Sequence, residues 1–198
     1  SWPLLVDKAT GKKFGKSEGG AVWLDANKTS VSDFYQFWFR TSDDAVEEIL
    51  LKMTLLAGDE IASIMTEHAQ DPSKRHAQRV LARAVTELVH SKDGVHLAEE
   101  VGDTLFVKVA EDITASDIAM LEQSGLVHKV GTGTSIVDAR VGSGLATSKR
   151  EARQFLSHGA VVLNGEKVED RVLEAADFKN GKAILKRGKR NVCVLVLK

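Results

Sequence analysis

The stretch that decides the fold is SKREARQFLSHGAVVLNG, residues 148–165. On a helical wheel its first eleven residues separate into an apolar side and a polar side, the pattern of an amphipathic helix. Asn164-Gly165 then stands after an apolar run, which is a strong signal for a tight β-hairpin. Two more apolar or alternating segments follow at 183–186 and 192–197. The sequence predicts helices, with a first one over 135–142, packed on a short, mostly antiparallel sheet.

The two sides of this predicted helix differ sharply in chemistry. Ala152, Phe155 and Leu156 share the apolar side. The polar side presents a row of cations and hydrogen-bonding groups: Lys149, Arg150, Arg153, Gln154 and Ser157. A second basic group follows in a turn: Lys186, Arg187, Lys189 and Arg190. Clustered cations bind RNA phosphates through counterion release, although a solvated charged face is a common alternative.

The net charge of −1 conceals an uneven distribution along the 198 residues. Residues 131–198 contain 13 Lys and Arg against 7 Asp and Glu, whereas residues 1–130 contain 14 against 21. Such a split favours a basic, RNA-facing part joined to an acidic one. The chain has one cysteine and no Cys or His cluster with metal-ligand spacing, so the sequence predicts no metal site.

The part before this basic region has helical character. Ser30, Thr41 to Asp44, Asp59 and Pro72 precede apolar residues at helical spacing, and Gly94 separates the last two predicted helices. We therefore predict an α+β fold, with an all-helical bundle at 29–106 and a small α/β domain at 131–198. Residues 107–130 are interpreted as a linker, in which Thr114 caps a short helix.

A second candidate site lies near the start of the chain, in the sequence KFGKS. Lys13 and Lys16 are mobile point charges that could hold phosphate oxygens and stabilise the charge of departing pyrophosphate. Gly15 would let the loop close over a nucleotide. As a bare pattern the motif is weak, because a solvated surface loop would look the same.

Both motifs resemble those of one family. Residues 144–153 and 159–165 resemble the RNA-binding domain shared with small-subunit ribosomal protein four, here called S-four-like. The KFGKS loop resembles the Lys-Met-Ser-Lys-Ser signature of class I aminoacyl-tRNA synthetases, in the form typical of bacterial tyrosyl enzymes. Loop, helical bundle and S-four-like domain follow one another as in bacterial-type tyrosyl-tRNA synthetases, and the resemblance covers essentially the whole chain.

The resemblance implies a set of roles. Residues 1–28 would be the end of the catalytic domain, where Lys13 and Lys16 act on the ATP phosphates while Gly15 and Ser17 shape the loop. The bundle would bind the anticodon and the S-four-like domain would grip tRNA(Tyr). The full-length enzyme would use ATP with Mg²⁺ and tyrosine, form a homodimer through its catalytic domain, and work in the cytoplasm away from membranes. Because the tyrosine pocket and the His-Ile-Gly-His-type signature are absent, we expect this chain alone to be inactive.

Other interpretations stay open at this point. Asp43 or Asp44 could accept hydrogen bonds from a guanine of the anticodon, but such residues commonly stabilise a helix start instead. The chain could also be a non-enzymatic S-four-type RNA-binding protein, ribosomal or regulatory, although the lysine loop argues against this. A pseudouridine synthase-like enzyme carrying the same module would need a catalytic aspartate domain, which the rest of the chain does not resemble.

Overall fold

The computed structural model describes residues 22–188 and 191–198, which form a mixed α+β fold. The elements of this part are α1 (Val31–Phe39), α2 (Asp43–Met53), α3 (Gly58–Gln70), α4 (His76–Phe106), α5 (Ala115–Gln123), β1 (Val127–Val130), α6 (Ile136–Gly142), α7 (Lys149–Ser157), β2 (Val161–Leu163), β3 (Glu166–Lys167), β4 (Lys182–Arg187) and β5 (Asn191–Leu197). The chain divides into two compact units between Glu99 and Glu100, called here the helical unit and the sheet unit. No helix in the described part is both long and apolar enough to cross a membrane.

Local capping interactions explain where several helices begin. The side chains of Ser30, Thr114, Ser135 and Ser148 each accept a hydrogen bond from the backbone N–H three residues later. Each such bond satisfies one of the backbone donors that a helix leaves unpaired at its first turn. The helix starts predicted at these four residues are therefore confirmed.

The helical unit is built around large apolar side chains from α1 to α4. Phe34, Leu50, Ile61 and Leu81, one from each helix, are almost completely inaccessible to solvent. Burying a side chain of this size contributes about 1.5–3 kcal/mol to stability. The helices of this unit are thus held mainly by their shared core.

The helix α4 is broken at Ser91, whose backbone has φ 66° and ψ 175°. Arg83, before the break, donates to Glu99, after it, through Nε and Nη2 at 2.6 and 3.0 Å. In an unbroken helix residues 16 positions apart would be separated by about 24 Å, so the chain must turn back at Ser91. The sequence predicted the break at Gly94, and this was wrong. Gly94 is helical and lies so close to His90 that an added Cβ would be 2.8 Å from the His90 Cβ.

Replacing Ser91 by Gly is expected to stabilise the chain. Its backbone lies in a region that glycine enters freely and other residues enter at a cost of about 1–3 kcal/mol. After allowance for the greater flexibility of glycine in the unfolded chain, we expect the free energy of unfolding to rise by about 1 kcal/mol. Urea denaturation will measure this change in the free energy of unfolding. Ser91→Ala is the matched control, because alanine keeps the Cβ and should bring no gain.

In the sheet unit the strands follow the order β1-β5-β4-β2-β3. β1 pairs with β5 in parallel, and the other neighbours are antiparallel. Asn164 and Gly165 connect β2 to β3 with φ values of 50° and 92°. Two successive positive φ angles are the signature of a type I′ hairpin turn, as the Asn-Gly pair predicted. Residues 107–130, predicted as a linker, lie within the sheet unit, and Val127–Val130 forms its edge strand β1.

The core of the sheet unit lies between the sheet and helices α6 and α7. Ile136 and Ala139 of α6 and Ala152 and Leu156 of α7 pack in one cluster with side chains from the strands. The strands contribute alternate residues, such as Ala183 and Leu185 of β4, because successive side chains point to opposite faces. This packing fixes which side of α7 faces solvent.

Candidate nucleic-acid interface

Helix α7 exposes the basic side that its sequence pattern predicts. Ser148 caps it by accepting a hydrogen bond from the Glu151 N–H at 3.2 Å. Ala152 and Leu156 are buried in the core, which anchors the helix. The opposite side is exposed along its length and consists of Lys149, Arg150, Arg153, Gln154 and Ser157. The structure therefore brings the three predicted cations together on one open surface.

The cations of this surface are largely available to a ligand. Lys149 Nζ lies 2.6 Å from Asp138 Oδ1, but both side chains are exposed, so solvent screens their attraction and the pair adds little to stability. Hydrogen bonds from Lys149 and Ser135 lower the pKa of Asp138. Arg150 and Arg153 are exposed and form no ion pair with any other described residue. A phosphate can thus replace Asp138 as the partner of Lys149 at little cost.

The second predicted basic group is divided between the two faces of the sheet. Arg187 lies on the α7 side, with its Cζ 4.8 Å from the centroid of the Phe155 ring and Nη1 3.6 Å from Glu151 Oε1. Lys186 Nζ instead lies 5.7 Å from the ring of Phe106. Neighbouring residues of a strand point to opposite faces, so Lys186 does not share the surface of α7. Lys189 and Arg190 lie outside the described residues.

The sequence analysis missed a buried arginine beneath this surface. Arg140 of α6 is fully buried, and it donates from Nη1 to the Ala152 carbonyl at 2.9 Å and from Nη2 to the Leu145 carbonyl at 3.4 Å. Its burial, together with the nearby Arg187, lowers the pKa of Arg140. A signal was present in the sequence, because Arg140 follows the apolar Ile136 and Val137 at helical spacing. That spacing places it on the inward side of α6.

In the helical unit, Asp43 is engaged by neighbouring helices. Its Oδ1 accepts hydrogen bonds from Gln78 Nε2 at 2.5 Å and from His68 Nε2 at 3.0 Å. The hydrogen bond from Gln78 is the main cause of the lowered pKa of Asp43. Asp44 is exposed, as Asp43 is, and lies beside it in the first turn of α2. Of the two carboxylates proposed for the anticodon, Asp43 therefore helps to join α2 to α3 and α4.

The lysine loop cannot be placed in the same way. Lys13, Gly15, Lys16 and Ser17 all lie outside the described residues. Their assignment to ATP phosphates therefore stays a prediction from the sequence.

Comparison with known proteins identifies the family. The sequence profile described as "tRNA synthetases class I (W and Y)" matches residues 2–107. The chain belongs to this family. A second profile, described as "Tyrosine--tRNA ligase SYY-like C-terminal domain", matches residues 118–195. The chain thus corresponds to the C-terminal part of a bacterial-type tyrosyl-tRNA synthetase, as the resemblance predicted.

Two curated relatives agree with this assignment. A tyrosine–tRNA ligase of Neisseria meningitidis serogroup C / serotype 2a is 41% identical over 98% of this chain and 48% of its own length. One of Chromobacterium violaceum is 42% identical over 94% and 45%. A C-terminally truncated mitochondrial tyrosyl-tRNA synthetase of Aspergillus nidulans is 46% identical over 43% of this chain and 25% of its own, with a TM-score of 0.42. The chain spans about half the length of the curated relatives it matches.

Proposed function

We propose that this chain is the tRNA-binding part of a tyrosyl-tRNA synthetase and that helix α7 of the sheet unit contacts the tRNA backbone. The observation that carries the proposal is the exposed row of Lys149, Arg150 and Arg153 beside Gln154, on a helix anchored by its buried side. A rigid helix presents these cations at fixed spacing. Structured RNA is recognised largely through its shape and backbone, for which such a surface is suited.

The chemistry of this contact is electrostatic. Each cation that neutralises a phosphate releases condensed counterions, so affinity falls as salt rises. Arginine adds a planar fork that can bind two phosphate oxygens at once, whereas lysine acts as a point charge. Gln154 supplies neutral hydrogen bonds to the same backbone. The contact would position the tRNA without reading its bases.

The remaining parts of the proposal concern the whole enzyme. It would convert ATP, tyrosine and tRNA(Tyr) into tyrosyl-tRNA(Tyr), AMP and diphosphate in the cytoplasm, with Mg²⁺ bound alongside ATP. We assign residues 1–28 to the end of the catalytic domain and residues 29–106 to an anticodon-binding bundle, to which Asp43 and Asp44 would contribute. Residues 107–130 would connect this bundle to an S-four-like domain at 131–198. A homodimer would form through the catalytic domain.

One alternative is a ribosomal or regulatory protein that uses the S-four-like module without catalysis. The synthetase profile that matches residues 2–107 supports the enzyme instead. That match covers the lysine loop and the helices up to α4, which an isolated RNA-binding module would not need. The same match favours the enzyme over a pseudouridine synthase-like protein.

Titration of the 198-residue chain with a tRNA(Tyr) transcript tests the proposal. We expect binding whose affinity falls with salt, with a slope of about −2 to −3 in log–log form if three phosphates are neutralised. An unstructured RNA of equal length is the control and should bind more weakly, because it lacks the helical backbone geometry. If the chain bound no tRNA at low salt, or bound both RNAs equally, the proposal would be wrong.

A further inference from the structure

The guanidinium of Arg187 is held from two directions. One face lies over the ring of Phe155, at 4.8 Å from Cζ to the ring centroid, and Nη1 is 3.6 Å from Glu151 Oε1. The Arg187 side chain is only 28% exposed and that of Glu151 29%. An arginine used in this way cannot also turn its planar fork freely towards a phosphate. Its position differs from those of Arg150 and Arg153, which are exposed.

The carboxylate of Glu151 links two segments that are distant in sequence. Its Oε2 accepts hydrogen bonds from the Thr147 N–H at 2.6 Å and from Thr147 Oγ1 at 2.7 Å, just before α7 begins. Its Oε1 faces Arg187 at the end of β4. The hydrogen bonds from Thr147, with help from Arg187 and Arg140, lower the pKa of Glu151, so the carboxyl is ionised at neutral pH.

Arg140, which is buried, contacts the same aromatic ring as Arg187. Its Cζ lies 5.1 Å from the centroid of the same Phe155 ring, so this ring contacts two guanidinium groups. Cations over an aromatic face are attracted by its quadrupole. Arg140 also holds the Leu145 and Ala152 carbonyls, on either side of the start of α7. The loop before α7, the helix itself and the end of β4 are therefore tied to one another.

We propose that Glu151 and Arg187 are positioning residues for the tRNA contact, and that neither is a ligand of the RNA. The Glu151–Arg187 pair, of which Arg187 lies over the Phe155 ring, sets the position of the α7 cations relative to the end of β4. This inference rests on the function proposed above. It also revises the sequence prediction, in which Arg187 was one of the residues that bind RNA directly.

Glu151→Gln provides a test, because a positioning role and a purely electrostatic effect predict opposite changes in tRNA(Tyr) affinity. If electrostatics alone mattered, loss of a negative charge beside the RNA surface would tighten tRNA(Tyr) binding. We expect it to weaken binding by about threefold to tenfold, the size of effect seen when contacting residues of one network are separated. Glutamine keeps the size of the side chain and an acceptor for Thr147, and circular dichroism will verify that the variant is folded. Unchanged or tighter binding would contradict the proposal.

A second pair of variants separates positioning from direct contact at Arg187. A phosphate ligand would be partly rescued in Arg187→Lys, because lysine keeps the charge although it lacks the planar fork, whereas Arg187→Met loses both. A positioning residue that depends on contact between its guanidinium and the Phe155 ring would not be rescued by lysine. We therefore expect Arg187→Lys and Arg187→Met to weaken binding to a similar extent. The double variant Glu151→Gln/Arg187→Met should bind no more weakly than the weaker single variant. Tighter binding by Arg187→Lys than by Arg187→Met, or additive losses, would overturn the inference while leaving wild-type tRNA binding, and hence the proposed function, intact.

Discussion

Replacement of Lys149, Arg150 and Arg153 by Glu together is expected to weaken tRNA(Tyr) binding by about a hundredfold or more at low salt. Each charge-assisted hydrogen bond that is lost contributes about 1.5–3 kcal/mol in favourable geometry, and the new carboxylates repel the phosphates. The three side chains are exposed on one side of α7, so their replacement should leave the core intact. The salt dependence should also flatten, by about one unit of slope for each cation that contacts a phosphate.

A matched control must make the same change in net charge elsewhere in the sheet unit. Lys129, Lys179 and Lys198 are exposed and lie near the opposite end of β4 and β5 from Arg187. Their replacement by Glu also changes the net charge by six units, but we expect a much smaller loss of affinity, because only long-range repulsion is added. Equal losses in the two triple variants would show that binding responds to overall charge. Unchanged affinity and slope in the α7 variant would refute the assigned surface.

Replacement of Leu156 by Asp is expected to unfold the sheet unit. Leu156 is 8% exposed and belongs to the cluster between α7 and the sheet. An unpaired carboxylate placed there loses its hydration and gains no partner, at a cost of about 3–5 kcal/mol. Small domains are stable by only about 5–15 kcal/mol in total. Circular dichroism and urea denaturation of the variant should therefore show loss of the β-structure or a much lower midpoint.

The control for this variant lies two residues earlier on the same helix. Gln154 is exposed, so Gln154→Asp introduces the same carboxylate into water, where we expect a change of at most about 0.5 kcal/mol. The comparison separates burial from the effect of a negative charge on α7. If Leu156→Asp had the same urea midpoint as the wild-type protein, the packing of Leu156 between α7 and the sheet would be wrong.

Several features could be predicted from the sequence because they depend on near neighbours. The helix starts at Ser30, Thr114, Ser135 and Ser148 follow from a side chain that bonds a backbone N–H three residues away. The hairpin at Asn164-Gly165 follows from the ability of these residues to adopt positive φ angles. The two sides of α7 follow from the 3.6-residue period, and a helix with strongly separated sides can be buried in only one way.

Other features were decided by contacts between residues far apart in the chain. The strand β1 exists because Val127–Val130 pairs with β5, which lies more than 60 residues later in the chain. Its four residues are of mixed polarity, and this pattern alone does not predict a strand with a parallel neighbour. The break at Ser91 is stabilised by the Arg83–Glu99 pair, which forms only once the chain has turned back. Such strained backbone persists only where the surroundings compensate for its cost.

The sequence by itself thus determined the helix starts at Ser30, Thr114, Ser135 and Ser148, the Asn164-Gly165 hairpin and the basic, solvent-facing side of α7, because these depend on local hydrogen bonding and on periodicity. Only the tertiary structure decided which cations share that surface. It placed Lys186 on the opposite face of the sheet, joined Arg187 to Glu151 and Phe155, and buried Arg140 beneath them. Whether an arginine is free for a ligand depends on which distant groups reach its guanidinium, and that is a property of the folded core.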